Sequence, residues 1–136
     1  MSSNWKQLIP NFKQYSYYAG ITTAFAEVVA AGVKQLALSH PYTAEELVIM
    51  KEPTKLIAKE HGITMRVEGE LLITPLFPAN IAKDKFVIFL MQNDAVWDQY
   101  QALKNATMLP EQLAWEFGRL LSYDDASIQR MLNRSK

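Results

Sequence analysis

Apolar residues change their spacing several times along this chain, and each change marks an element. Across residues 21–38, Ile21, Phe25, Val28, Val29 and Leu36 combine with several alanines to cover most of a helical circumference. Thr23, Glu27 and Lys34 leave only a narrow polar stripe. A helix apolar nearly all round is central or shared with another copy of the chain, and Ala26, Ala30, Ala31 and Gly32 would let another backbone come close.

The next start signal is local and specific. Thr43 at the N-cap and Glu46 three residues on form a capping box, with Tyr42 and Leu47 as a hydrophobic staple. The helix they open reaches His61, where Gly62 suits a left-handed cap. Pro53 inside it predicts a kink or two short helices meeting near Lys51 and Glu52.

The period then falls to two. Ile63, Met65 and Val67 alternate with Thr64, Arg66 and Glu68. Glu68-Gly69 reads as a tight turn, with residues 70–74 returning as a second strand ended by Pro75 and Pro78. Residues 85–91 read as the third strand. Phe86-Val87-Ile88-Phe89-Leu90-Met91 is an unbroken apolar run that implies burial on both faces. Short connections favour antiparallel pairing.

Asn93 or Asp94 caps a helix with Val96, Trp97, Tyr100 and Leu103 on its apolar face. Pro110 opens another, carrying Leu113, Phe117, Leu120 and Leu121. Ser122 or Asp124 caps a last one, carrying Ile128, Met131 and Leu132.

The fold class this predicts is α+β: a small three-stranded, mainly antiparallel sheet packed against four to six helices in two layers. Residues 1–136 read as one domain, beginning with an aromatic-rich arm or helix over 1–18 that Pro10 interrupts. That arm reads first as packed on the core and second as docking on a partner subunit, and Tyr15, Tyr17 and Tyr18 are candidates for an aromatic pocket, though clustered aromatics are more often core. The buried run at 86–91 needs more cover than these helices provide, so the pattern favours self-association.

Composition narrows the function classes. The hydrophobic share of 49% and charged share of 21% are those of a globular chain, not a disordered one. Lys plus Arg and Asp plus Glu stand at 14 each. That balance argues against a strongly electrostatic nucleic-acid binder and eases self-association. Cysteine is absent, which excludes disulfides, thiol nucleophiles and thiolate metal sites. Residues 19–38 are the most lipid-like run, but Glu27, Lys34 and Gln35 argue against a membrane span. With no secretory signal pattern at the N-terminus, the expected compartment is the cytoplasm.

Phosphate-binding glycine loops, GxSxG elbows and HExxH helices are all missing. The two histidines, His40 and His61, have no metal-ligand spacing, and neither a metal nor a cofactor is expected. His61 suits the negative end of a helix. Glu68 and Glu70 read as solvated turn charges. Asp94 follows a buried strand and opens a helix, a place where ligands are often held, with Gln92 and Asn93 beside it. Tyr42 adjoins His40. Lys51, Lys55 and Lys59, four residues apart, form one basic row if the helix passes Pro53 with little bend.

Three functional readings follow. The first is a homo-oligomeric, non-catalytic binding or regulatory module, with Tyr42, Gln92, Asn93 and Asp94 as ligand-binding candidates. The second is a small cofactor-independent enzyme in which His40 and Asp94 exchange protons. The third is DNA reading by the C-terminal helices. Leu113-Ala114, Gly118, then Ser127 and Arg130 resemble a helix-turn-helix, but the turn falls late and Asp124 and Asp125 would repel phosphate.

Overall fold

The computed structural model describes residues 13–78 and 81–134. Its elements in chain order are α1 (Lys13–Ala30), β1 (Leu36–Leu38), α2 (Ala44–His61), β2 (Thr64–Glu68), β3 (Val87–Met91), α3 (Asp94–Lys104), α4 (Pro110–Leu120) and α5 (Asp125–Arg134). The class is α+β, with, among the described residues, five helices around one three-stranded antiparallel sheet in the order β1-β3-β2.

The apolar run read from the sequence is the middle strand. Every residue of β3 is buried, and its two faces belong to different cores. Val87, Phe89 and Met91 pack with Val96 and Tyr100 of α3, Phe117 of α4 and Ile128 of α5. Ile88 and Leu90 pack with Ala26 and Val29 of α1 and Met50 and Ile57 of α2. The sheet is therefore the centre of three layers rather than one of two. Within a single chain both faces of β3 are covered, so the cover that the sequence assigned to a second copy is already present.

Two of the expected elements differ. The helix predicted over 21–38 is α1, which starts earlier and stops at Ala30. Gly32 adopts φ +81°, and the N–H groups of Val33 and Gly32 donate back to the carbonyls of Val28 and Val29. This is a Schellman stop, which glycine enters without the cost a side chain imposes. Leu36–Leu38 then pairs with Met91–Phe89 as a strand. Tyr15, Tyr17 and Tyr18 lie in the first turns of α1; the remainder of the expected aromatic arm lies outside the described residues.

The strand predicted over 70–74 does not form. The Glu68 carboxylate accepts the Glu70 N–H at 3.0 Å, and the Leu72 N–H donates to the Tyr100 hydroxyl at 3.0 Å. Backbone donors that a hairpin would have used are thus taken by side chains, and β3 pairs with β2 only after a long loop.

The local cap signals hold. Thr43 accepts the Glu46 N–H at 3.2 Å and Glu46 accepts the Thr43 N–H at 2.9 Å, completing the capping box. Gly62 closes α2 at φ +68°. α2 runs as one helix through the buried Pro53, so of the expected kink or pair of short helices the pair does not form. Asn93 is the cap of α3, its side chain accepting the Ala95 N–H at 3.0 Å. Asp124 accepts the Ser127 N–H at 2.7 Å ahead of α5.

Candidate functional site

The residues singled out from the sequence fall into two groups at opposite ends of β3. His40 and Tyr42 lie beside its start. The Ser39 N–H donates to the Ile88 carbonyl, and Tyr42 and Phe86 exchange both backbone bonds, so His40 and Pro41 together stand opposite Val87. This bulge turns His40 out to solvent. Its ring stacks on Tyr18, with centroids 4.6 Å apart. Tyr18 in turn donates to Glu46 at 3.3 Å. Tyr42 is 1% exposed, and burial pushes its hydroxyl up to about 12. It belongs to the core rather than to an open site.

Gln92, Asn93 and Asp94 follow the other end of the strand. The Gln92 N–H continues the ladder by donating to the Gln35 carbonyl at 3.1 Å. Asn93 is the helix cap described above. Asp94 is exposed and pairs with Arg66 at 3.3 Å. Roughly 13 Å of strand, at about 3.3 Å per residue, separates the levels of His40 and Asp94. The structure does not bring this acid–base pair together.

The cleft with the most pocket-like chemistry lies along the outer edge of β1. It has a volume of about 370 Å³, within the range of roughly 300–1,000 Å³ usual for small-molecule sites. Five separate segments build it. Phe25 comes from α1, Leu38 from β1, Leu71 and Phe77 from the loop after β2, and Leu121 from the end of α4, with Val87 on the floor. Ser39 reaches the wall with its hydroxyl already engaged, accepting the Ile88 N–H at 2.8 Å and donating to the His40 carbonyl at 2.9 Å.

Two polar groups remain at this wall. Lys34 is half-buried, its ammonium 4.7 Å from the centre of the Tyr123 ring. Among the described residues no carboxylate pairs with it. Burial lowers its pKa from the ordinary lysine value. Tyr123 is also shifted by burial, which raises its pKa. The Ser122 hydroxyl accepts the Gln35 N–H at 3.0 Å, which ties the turn after α4 to the turn before β1 and so places Tyr123 beside Lys34. Sequence reasoning missed both residues. Lys34 was counted into the polar stripe of a helix that ends before it, and Tyr123 had no spacing that marked it.

The remaining candidates are accounted for locally. Arg119 is held by Glu116 at 3.6 Å and Asp125 at 3.5 Å, and the Arg130 guanidinium donates to Ser127 at 3.0 Å. Arg119 and Arg130 thus face acids or hydroxyls of the same helix pair. His61 Nδ1 lies 2.8 Å from the Ile57 carbonyl, a bond within its own helix end. Among the described residues no three of His, Asp or Glu converge as metal ligands. No described helix is long and apolar enough to cross a membrane. Comparison with known protein families, with curated proteins and with solved structures gives no match.

Proposed function

We propose that this protein is a non-catalytic binding module whose β1-edge cleft takes a small ligand with an apolar body and one anionic end, a carboxylate being the simplest. The observation that carries the reading is Lys34: a half-buried cation at the wall of an apolar cleft, with an aromatic face below it and no carboxylate paired to it among the described residues. An ammonium taken partly out of water is destabilised unless it gains a counter-charge. A bound carboxylate supplies one in a low-dielectric setting, where the attraction is stronger than in bulk water. The apolar wall holds the ligand body. One copy of the chain carries the whole cleft, so ligand binding does not require the self-association anticipated from the sequence. The absence of cysteine suits a reducing compartment such as the cytoplasm.

The test is displacement of the fluorescent probe 1-anilinonaphthalene-8-sulfonate by decanoate and by decanol. Decanoate should compete at least tenfold better on the native protein, and Lys34→Met should erase that preference while leaving weak decanol competition intact. Equal competition by acid and alcohol on the native protein would defeat the reading, as would undiminished decanoate preference in Lys34→Met.

A further inference from the structure

The opposite edge of the sheet carries a separate inference that does not rest on the cleft. β2 is the terminal strand on the side away from β1, and among the described residues no strand pairs with its outer edge. The ladder determines which backbone groups face outward. The Ser39 N–H bonds the Ile88 carbonyl and the Gln92 N–H bonds the Gln35 carbonyl, so even-numbered residues of β3 turn their backbone to β1. Odd-numbered residues therefore turn theirs to β2, where Val87, Phe89 and Met91 stand opposite Glu68, Arg66 and Thr64. Met65 and Val67 are left presenting N–H and C=O outward.

A shallow groove of about 680 Å³ follows this edge. Lys51, Lys55 and Lys59 of α2 line one side, Arg66 and Trp97 the other, and no carboxylate is among its lining residues. The lysines recur every about 6 Å along the helix, at about 1.5 Å per residue. Alternate residues of a strand recur every about 6.7 Å. The row therefore matches the side chains that one face of an added strand would project. Lys55 and Arg66 have exposed partners in Glu52 at 3.5 Å and Asp94 at 3.3 Å. Pairs of that kind are worth little and exchange readily.

We propose that the β2 edge binds an extended acidic segment of a partner protein, added as a fourth strand. Its alternate carboxylates lie against the α2 lysines, and its intervening apolar residues lie towards Trp97. Main-chain bonds to Met65 and Val67 supply register, and charge supplies selectivity. A second copy of this chain is a poor occupant. Antiparallel self-pairing through Met65 and Val67 places Arg66 directly opposite the same arginine of the other copy, where like charges repel. A nucleic acid could meet the lysines but has no peptide ladder to offer Met65 and Val67.

The probe is a fluorescein-labelled octapeptide of alternating Glu and Val, titrated into the full chain and followed by anisotropy. Binding is expected, weakening at least tenfold in the Lys51→Gln/Lys59→Gln variant, whose positions are exposed and do not support the fold. N-methylation of one set of alternate peptide amides should abolish binding, and methylation of the other set should leave it. Amide hydrogen exchange should slow at Met65 and Val67 on peptide addition. The proposal is overturned by equal binding of the matching Lys/Val peptide, by indifference to both methylation patterns, or by stronger binding of a single-stranded oligodeoxynucleotide of the same charge. Slowing of Met65 and Val67 exchange with rising protein concentration alone would assign the edge to a second copy instead.

Discussion

Lys34 and Lys104 are built into similar surroundings and reach opposite outcomes. Each is partly buried and lies beside a tyrosine ring, Tyr123 at 4.7 Å and Tyr100 at 5.7 Å. Lys104 meets Glu68 at 2.9 Å, and that carboxylate also accepts the Glu70 N–H. The Tyr100 hydroxyl accepts the Leu72 N–H and interacts with Glu68. Charge and hydrogen bonds close on themselves there. Burial alone would raise the Glu68 carboxyl, but Tyr100, the Glu70 N–H and Lys104 together hold it below the usual glutamate value. Lys34 has the ring and the apolar surroundings, with no acid paired to it among the described residues. The Glu68–Lys104 pair is closed by the chain itself; the half-buried Lys34, with no acid paired to it among the described residues, is where the proposed ligand would supply the missing charge.

The sharpest way to break this contrast is to empty the closed site. Glu68→Ala removes a carboxylate whose side chain is 8% exposed and strands Lys104 and the loop donors. Breaking such a pair costs about 3 kcal/mol, which lowers Tm by about 10 °C for a domain of this size. Thermal unfolding at neutral pH measures it. Glu68→Gln sharpens the same point through pH. A carboxyl held below its unfolded value stabilises fully above that value and loses the contribution as pH falls through the folded pKa. The stability gap between native protein and Glu68→Gln should therefore be constant near neutrality and narrow below about pH 4.5, the ordinary glutamate value. Urea unfolding across that range tests it, and a gap that stays constant down to pH 3 would contradict it.

Smaller effects separate the two tyrosines. Tyr100→Phe orphans the Leu72 N–H and should cost about 1.5 kcal/mol. Tyr123→Phe removes a hydroxyl with no hydrogen-bond partner among the described residues and should stay within about 0.5 kcal/mol of the native protein. Parallel denaturant titrations of the two variants make the comparison direct. Similar losses at both positions would mean that the Lys34 site is also closed.

The sequence showed the centre of this fold better than its edges. The run at 86–91 could be read because six adjacent apolar residues leave few other interpretations, and the Thr43–Glu46 box because cap chemistry is local. Leu36–Leu38 could not. Its three residues are too few for a period, and they follow Lys34-Gln35 as a helix would; only pairing with β3 makes them a strand. The 70–74 segment is the converse, strand-like in composition but drawn off the ladder by Glu68 and Tyr100. The cleft was invisible for a related reason. Lys34, Phe77 and Tyr123 are far apart in sequence and meet only after the sheet and α4 are in place. The basic row on α2 was readable because its spacing lies within one helix.

The strand order has a consequence for how the chain comes off the ribosome. β3 pairs with both other strands and is the last of the three to be made. Until Met91 has emerged, Leu36–Leu38 and Thr64–Glu68 have no strand to lie against, and neither core has its central layer. No neighbouring pair is a tight hairpin, so the sheet cannot start from a local contact and must wait for a distant one. During that interval the nascent chain exposes strand edges with no partner, and like charge on the lysines beside β2 disfavours pairing between neighbouring chains.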